Sequence, residues 1–173
     1  MDLPTRKKNR LDRYDYSSRG AYFITICVTD RNALLWEQGV EVVQPDQPPL
    51  SAYGRIVDTA IQQITAHYDN IILDQYCIMP DHVHMVVFIL PVEHVRSDSA
   101  QENQSNAARV TLQTMVGSMK RWVSKQIGFS IWQKSFHDTI LWNHAGYLEV
   151  CQYICENPLH QSEDSIESLH KGG

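Results

Sequence analysis

Apolar positions along the 173-residue chain change period several times, and each change predicts an element. AYFITICVT (21–29) is rich in β-branched and aromatic residues and breaks at Asp30-Arg31-Asn32, the pattern of a strand entering a turn. After the proline-dense QPDQPPL, the stretch SAYGRIVDTAIQQITAHY sets Ile56, Val57, Ala60, Ile61 and Ile64 at helical spacing. IILDQYCI and HVHMVVFIL then flank Met79-Pro80-Asp81. Pro80 and Asp81 suit the centre of a tight turn, so the pair reads as a β-hairpin.

The next segment, 91–108, is polar and aperiodic, which predicts a flexible insert. Val110, Leu112, Met115, Val116, Met119, Val123 and Ile127 mark a second helix, stopped by Gly128. SIWQKSFHDTILW reads as a fourth strand, and Asn143 as the N-cap of a last helix ending before Pro158. The first six elements follow the β-α-β-β-α-β succession of a ferredoxin-like antiparallel sheet, an α/β fold of the α+β kind, with an extra C-terminal helix. The expected organisation is a basic arm (1–20), one domain (21–158) carrying the insert, and an acidic tail (159–173).

Composition narrows this picture. With 43% hydrophobic residues the chain is long enough for one domain with a real core. The basic start MDLPTRKKNR has no apolar signal region and no stretch approaches the roughly 18 apolar residues of a membrane span, so a cytoplasmic protein is expected, with no membrane partner. Cys27, Cys77, Cys151 and Cys155 lie in apolar runs without CxxC spacing, which favours reduced, buried thiols over disulfides or a zinc ribbon. A net charge of -5 argues against nucleic acid, but it hides an asymmetry. Arg109, Lys120, Arg121, Lys125 and Lys134 form a basic run with no acid among them, and Arg6, Lys7, Lys8, Arg10 and Arg13 add to the N-terminal arm. Such a run is either a solvated face or a phosphate-binding surface.

Two places carry candidate chemistry. His82 and His84 are two apart in a strand, so they share a face about 6.6 Å apart along the chain and can converge on one ion. They can equally be core histidines bonded to neighbours. Val86 stands where histidine-triad hydrolases need a third histidine, and the hydroxyl residues of two-histidine phosphoesterases are missing, so a metal site would be completed from another element. In YLEVCQYICENP, Tyr147, Leu148, Cys151, Ile154 and Cys155 form an apolar stripe, with Glu149, Tyr153 and Asn157 opposite. Tyr153 and Asn157 are one turn apart and present a phenol and an amide together; a surface tyrosine with an asparagine near a helix end reads the same way.

The blocks YDYSSRGAYFITICVTDR (14–31), MPDHVHMVV (79–87), WQKSFHDTI (132–140) and QYICENPL (152–159), in this order and spacing, resemble the single-tyrosine HUH transposases, in particular the REP-associated tyrosine transposases. The resemblance implies a histidine-hydrophobic-histidine motif at His82, Val83 and His84, a nucleophilic tyrosine at Tyr153, and Asn157 as the third metal ligand. In the WQ block the family usually has an acid, a histidine, two aliphatics and an arginine; this chain has Asp138, Thr139, Ile140, Leu141 and Trp142. The implied activity is metal-dependent cleavage and rejoining of single-stranded or hairpin DNA through a 5′-phosphotyrosine, with Mg²⁺ or Mn²⁺ as cofactor. Arg13, Lys120, Arg121, Lys125 and Lys134 are the candidates for phosphate contacts and Trp132 for base stacking. A homodimer stays open, as does a domesticated hairpin-binding protein with weak chemistry. A replication initiator or relaxase fits less well, since a second tyrosine or a third histidine beside the pair is missing.

Overall fold

The computed structural model describes residues 20–40, 44, 47–90 and 110–170, with side chains through Pro158. The expectations for the basic arm with Arg13, for the 91–108 insert and for the side chains of the acidic tail lie outside these residues.

Four strands, β1 (Gly20–Cys27), β2 (Ile71–Ile78), β3 (His82–Ile89) and β4 (His137–Leu141), form one antiparallel sheet in the order β2-β3-β1-β4. This is the order the βαββαβ succession predicts, with the hairpin β2–β3 turning through Met79-Pro80-Asp81. Period-2 alternation gives the sheet two different faces. On one, Tyr22, Ile24 and Ile26 of β1 stand in register with Val87, Met85 and Val83 of β3, and all are fully buried. Helix α1 (Ala52–Gln62) covers this face: Asp58 and Gln62 bond the hydroxyl of Tyr76, which is in register with Met85. α2 (Ile64–His67) continues it, and α3 (Leu112–Ile127) packs against α1 through Leu112, Met115, Val116, Met119 and Val123. The other face carries Phe23, Thr25 and Cys27 opposite Val86, His84 and His82, and α4 (His144–His170) crosses it.

The signals read at Gly128 and Asn143 hold, and the structure adds caps at Ser51 and Thr111. Ser51 caps α1 through Gly54 N–H, Thr111 caps α3, Gly128 ends α3 with φ 96°, and Asn143 Oδ1 accepts from Gly146 N–H at the start of α4. Gly54 has a second role. A Cβ there would lie 2.1 Å from the Leu35 carbonyl oxygen, so only glycine lets the first turn of α1 sit on that backbone.

Two boundaries differ from the pattern. The fourth strand begins at His137 rather than Ser130. Ile131, Trp132 and Phe136 are buried in an irregular stretch, and the carbonyls of Gln133 and Ser135 bond the ammonium of Lys120 instead of a strand. The last helix does not stop before Pro158 but continues to His170. Pro158 removes one N–H from the helix ladder, and its ring is buried.

Candidate functional site

β3 begins at the tight turn, so His82 and His84 stand at the mouth of the hairpin on the face that α4 crosses. Both are nearly inaccessible, His82 at 7% and His84 at 4% exposure. Their Nε2 atoms are 2.9 Å apart, so the imidazoles converge. Each ring is held from behind. Asp81 Oδ1 bonds Nδ1 of His82, and Thr25 Oγ1 lies 2.9 Å from Nδ1 of His84. Asp81 accepts, which leaves the Nε2 of His82 as a lone pair aimed inward. The Thr25 hydroxyl can donate or accept, so His84 can either donate its Nε2–H to His82 or turn a second lone pair to the same point. Phe23 stacks on His84 at 5.1 Å between ring centroids and limits its rotation.

Burial is the main reason both imidazoles resist protonation. It holds His82 below the usual histidine value against the pull of Asp81, and it lowers His84 to about 3, helped by His82 and Arg31. At neutral pH both rings are uncharged, the form that ligates metals.

α4 brings Tyr153 to this point. The Tyr147 ring lies 6.0 Å from that of Phe88 and its hydroxyl donates to Asp74 at 2.8 Å, which seats the first turns of the helix at the far end of β2 and β3. Six residues on, the Tyr153 hydroxyl is 3.4 Å from His84 Nε2, with its ring edge-on to Phe23. The helix therefore runs along β3 toward the His82 end, and Asn157 is the next residue on that side. Cys151 and Ile154 face the sheet as the stripe predicts, and Cys155, though exposed, lies against Gln75 of β2 with its sulfur 3.9 Å from the amide oxygen, while Leu148 is exposed. Tyr153 was expected opposite the core; it lies on the flank that meets the sheet, 47% exposed, with its hydroxyl inward. The Nδ2 of Asn157 is buried without a hydrogen-bond partner. A buried amide donor with no acceptor costs about 1–3 kcal/mol, and rotating the amide would present its oxygen instead.

The donor set fits a hard or borderline divalent ion. Among the described residues no group of three or more His, Cys, Asp or Glu side chains is arranged to hold a metal. Among the described residues, a third protein ligand beside the two imidazoles would be an amide or a hydroxyl. The two Nε2 atoms, 2.9 Å apart, are close enough to share a proton or to converge on one ion.

The basic candidates scatter. Arg121 and Lys125 are exposed on α3, with the sheet between them and the histidines. Lys120 is taken up by the Gln133 and Ser135 carbonyls, and burial lowers its pKa to about 8. Lys134 is exposed in the same loop. Trp132 is 6% exposed and bridges Val28, a packing position rather than a stacking platform. A groove of about 660 Å³ opens along the β2 edge, but Asp58 and Asp74 line it, which disfavours phosphate.

Sequence reasoning missed Phe23, Thr25, Asp81 and Arg31. Arg31 Nε pairs with Asp81 Oδ2 at 2.6 Å and its Nη1 donates to Cys27 Sγ at 3.0 Å. The register of a paired β1 and β3 would have found Thr25 and Cys27, which face His84 and His82; nothing local signals Arg31.

No family model matches the chain. It is 25% identical over 171 residues to an uncharacterized protein of Haemophilus influenzae, covering 93% of this chain and 92% of that one. Among solved structures, a REP-associated tyrosine transposase bound to a REP hairpin superposes with a TM-score of 0.57 at 18% identity, over 88% of this chain and 74% of that one. A candidate transposase of Deinococcus radiodurans R1 superposes with a TM-score of 0.43 at 15% identity, over 86% and 96%. The first likeness shows a shared fold.

Proposed function

We propose that the protein is a transposase-like enzyme that cuts and rejoins single-stranded DNA beside hairpins, with Tyr153 as nucleophile and His82, His84 and Asn157 as the ligands of Mg²⁺ or Mn²⁺. The observation that carries this reading is the Tyr153 hydroxyl at 3.4 Å from an imidazole nitrogen that itself converges with a second one at 2.9 Å. The fold shared with a hairpin-bound tyrosine transposase supports the same substrate class here.

In the proposed reaction the Tyr153 oxygen attacks the scissile phosphorus. A new phosphorus–oxygen bond forms to the phenol as the bond to the 3′ oxygen breaks. The products are a 5′-phosphotyrosine and a free 3′-OH; the phenolic proton goes to solvent and the 3′ oxygen takes one up. Attack by another 3′-OH reverses the step and joins new ends. A bound divalent ion would supply Lewis-acid polarisation of a phosphate oxygen and neutralise charge there. The protein supplies the rest. Asp81 and Thr25 fix the two rings, Phe23 confines His84 and Tyr153 from one side, and the Tyr147–Asp74 bond sets the height of α4 over the sheet.

As the proposed metal ligands, neither imidazole is free to take the phenolic proton. That favours a second reading, a hairpin-binding protein with little chemistry. One assay separates them. A labelled DNA stem-loop with single-stranded flanks and Mn²⁺ should give a covalent protein–DNA band on a denaturing gel, absent in Tyr153→Phe and with EDTA. Retention of the stem-loop on a native gel with no covalent band from the wild-type protein would leave only the binding function.

A further inference from the structure

The guanidinium of Arg31 is unusual in how it is delivered. Asp30 and Arg31 both have left-handed backbone, φ 54° and 55°, a conformation that non-glycine residues adopt at some strain. The 3₁₀ turn they form, Thr29–Arg31, folds the chain back over the end of β1. Two contacts then fix the fork. Its Nε meets Asp81 Oδ2, and its Nη1 meets the sulfur of Cys27, which stands in register with His82 on the site face. The guanidinium thus lies beside His82, not on the rim of the loop. Its side chain is 50% exposed. Nε and one Nη1 hydrogen are used, and the outer edge of the fork remains for a ligand.

We propose that Arg31 binds a backbone phosphate of the DNA strand next to His82. This rests on the single-strand reading above and adds a phosphate contact that the basic run on α3 does not give, because the sheet separates that helix from the histidines. An arginine held along one edge by a carboxylate and open on the other presents parallel N–H donors to a phosphate. The competing role is purely structural: Arg31 would only anchor Asp81, and through it His82.

The two roles part when DNA binding is measured without metal. Tyr153→Phe protein is titrated with a fluorescein-labelled DNA stem-loop carrying single-stranded flanks, in EDTA, over a range of salt. Arg31→Gln should weaken binding about tenfold and reduce the slope of log K against log salt by about 0.7. Arg31→Lys keeps the charge and should keep the slope. Asp81→Asn should leave the slope unchanged. An Arg31→Gln slope equal to the parent's overturns the proposal, as does an equal loss of slope in Asp81→Asn or in Arg31→Lys. Failure of the parent protein to bind the stem-loop overturns the hairpin reading itself, a result distinct from a silent Arg31.

Discussion

At the residue scale, the histidine pair is a place where burial decides chemistry. His84 would be half-protonated near pH 6.5 in an unfolded chain and only near pH 3 in the folded one. Between these values the unfolded state binds more protons, so stability rises with pH. It is complete above about 6.5 and declines by up to about 1.4 kcal/mol per pH unit as pH falls toward 3. His82 adds to the same trend, since its value is also lowered. Urea unfolding of wild type and His84→Gln across this range should show the slope flattened in the variant, and parallel curves would mean that His84 is not protected. Legibility at this scale was uneven. His82 and His84 were visible because strand period puts them on one face. Thr25 and Cys27 became partners only through register, and Arg31 only through a strained turn.

At the element scale, caps and stops were readable while interior boundaries were not. Asn143 and Gly128 act locally, by bonding backbone groups within a few residues or by adopting φ that others resist. The start of β4 depends on Lys120, more than ten residues away, whose ammonium claims the carbonyls of Gln133 and Ser135. α4 passes through Pro158 with the ring buried, which the proline signal alone did not predict. Gly54 is the sharpest case. No pattern marks it, because the constraint comes from Leu35 on another segment. Gly54→Ala should destabilise the fold by about 1–3 kcal/mol, read as a lowered unfolding midpoint, through the forced retreat of α1 from that carbonyl. An unchanged midpoint would show that α1 moves freely.

At the scale of the whole molecule, the sheet divides a dense layer from a thinner one. The face covered by α1 and α3 holds fully buried Tyr22, Ile24, Ile26, Met85, Leu112 and Met115. The α4 face is held by Cys151, Ile154, the Tyr147–Asp74 bond and the rings around His84. Local opening follows buried apolar contact, so α4 should exchange its amide hydrogens faster than β1 and β3 in native-state measurements. Equal protection would mean that α4 belongs to the same cooperative unit. A tyrosine on the less anchored layer can shift relative to histidines that stay fixed on a central strand. No helix among the described residues is long and apolar enough to cross a membrane.

The chain by itself determined the order of strands and helices, the cap at Asn143, the stop at Gly128 and the shared face of His82 and His84, because alternation, helical period and φ preferences act over a few residues. Tertiary structure decided that α4 lies on that face, that its Tyr153 hydroxyl comes to 3.4 Å from His84, and that Arg31 and Asp81 back the pair. These are contacts between segments distant in sequence, fixed by which surfaces remain to be buried once the sheet has formed.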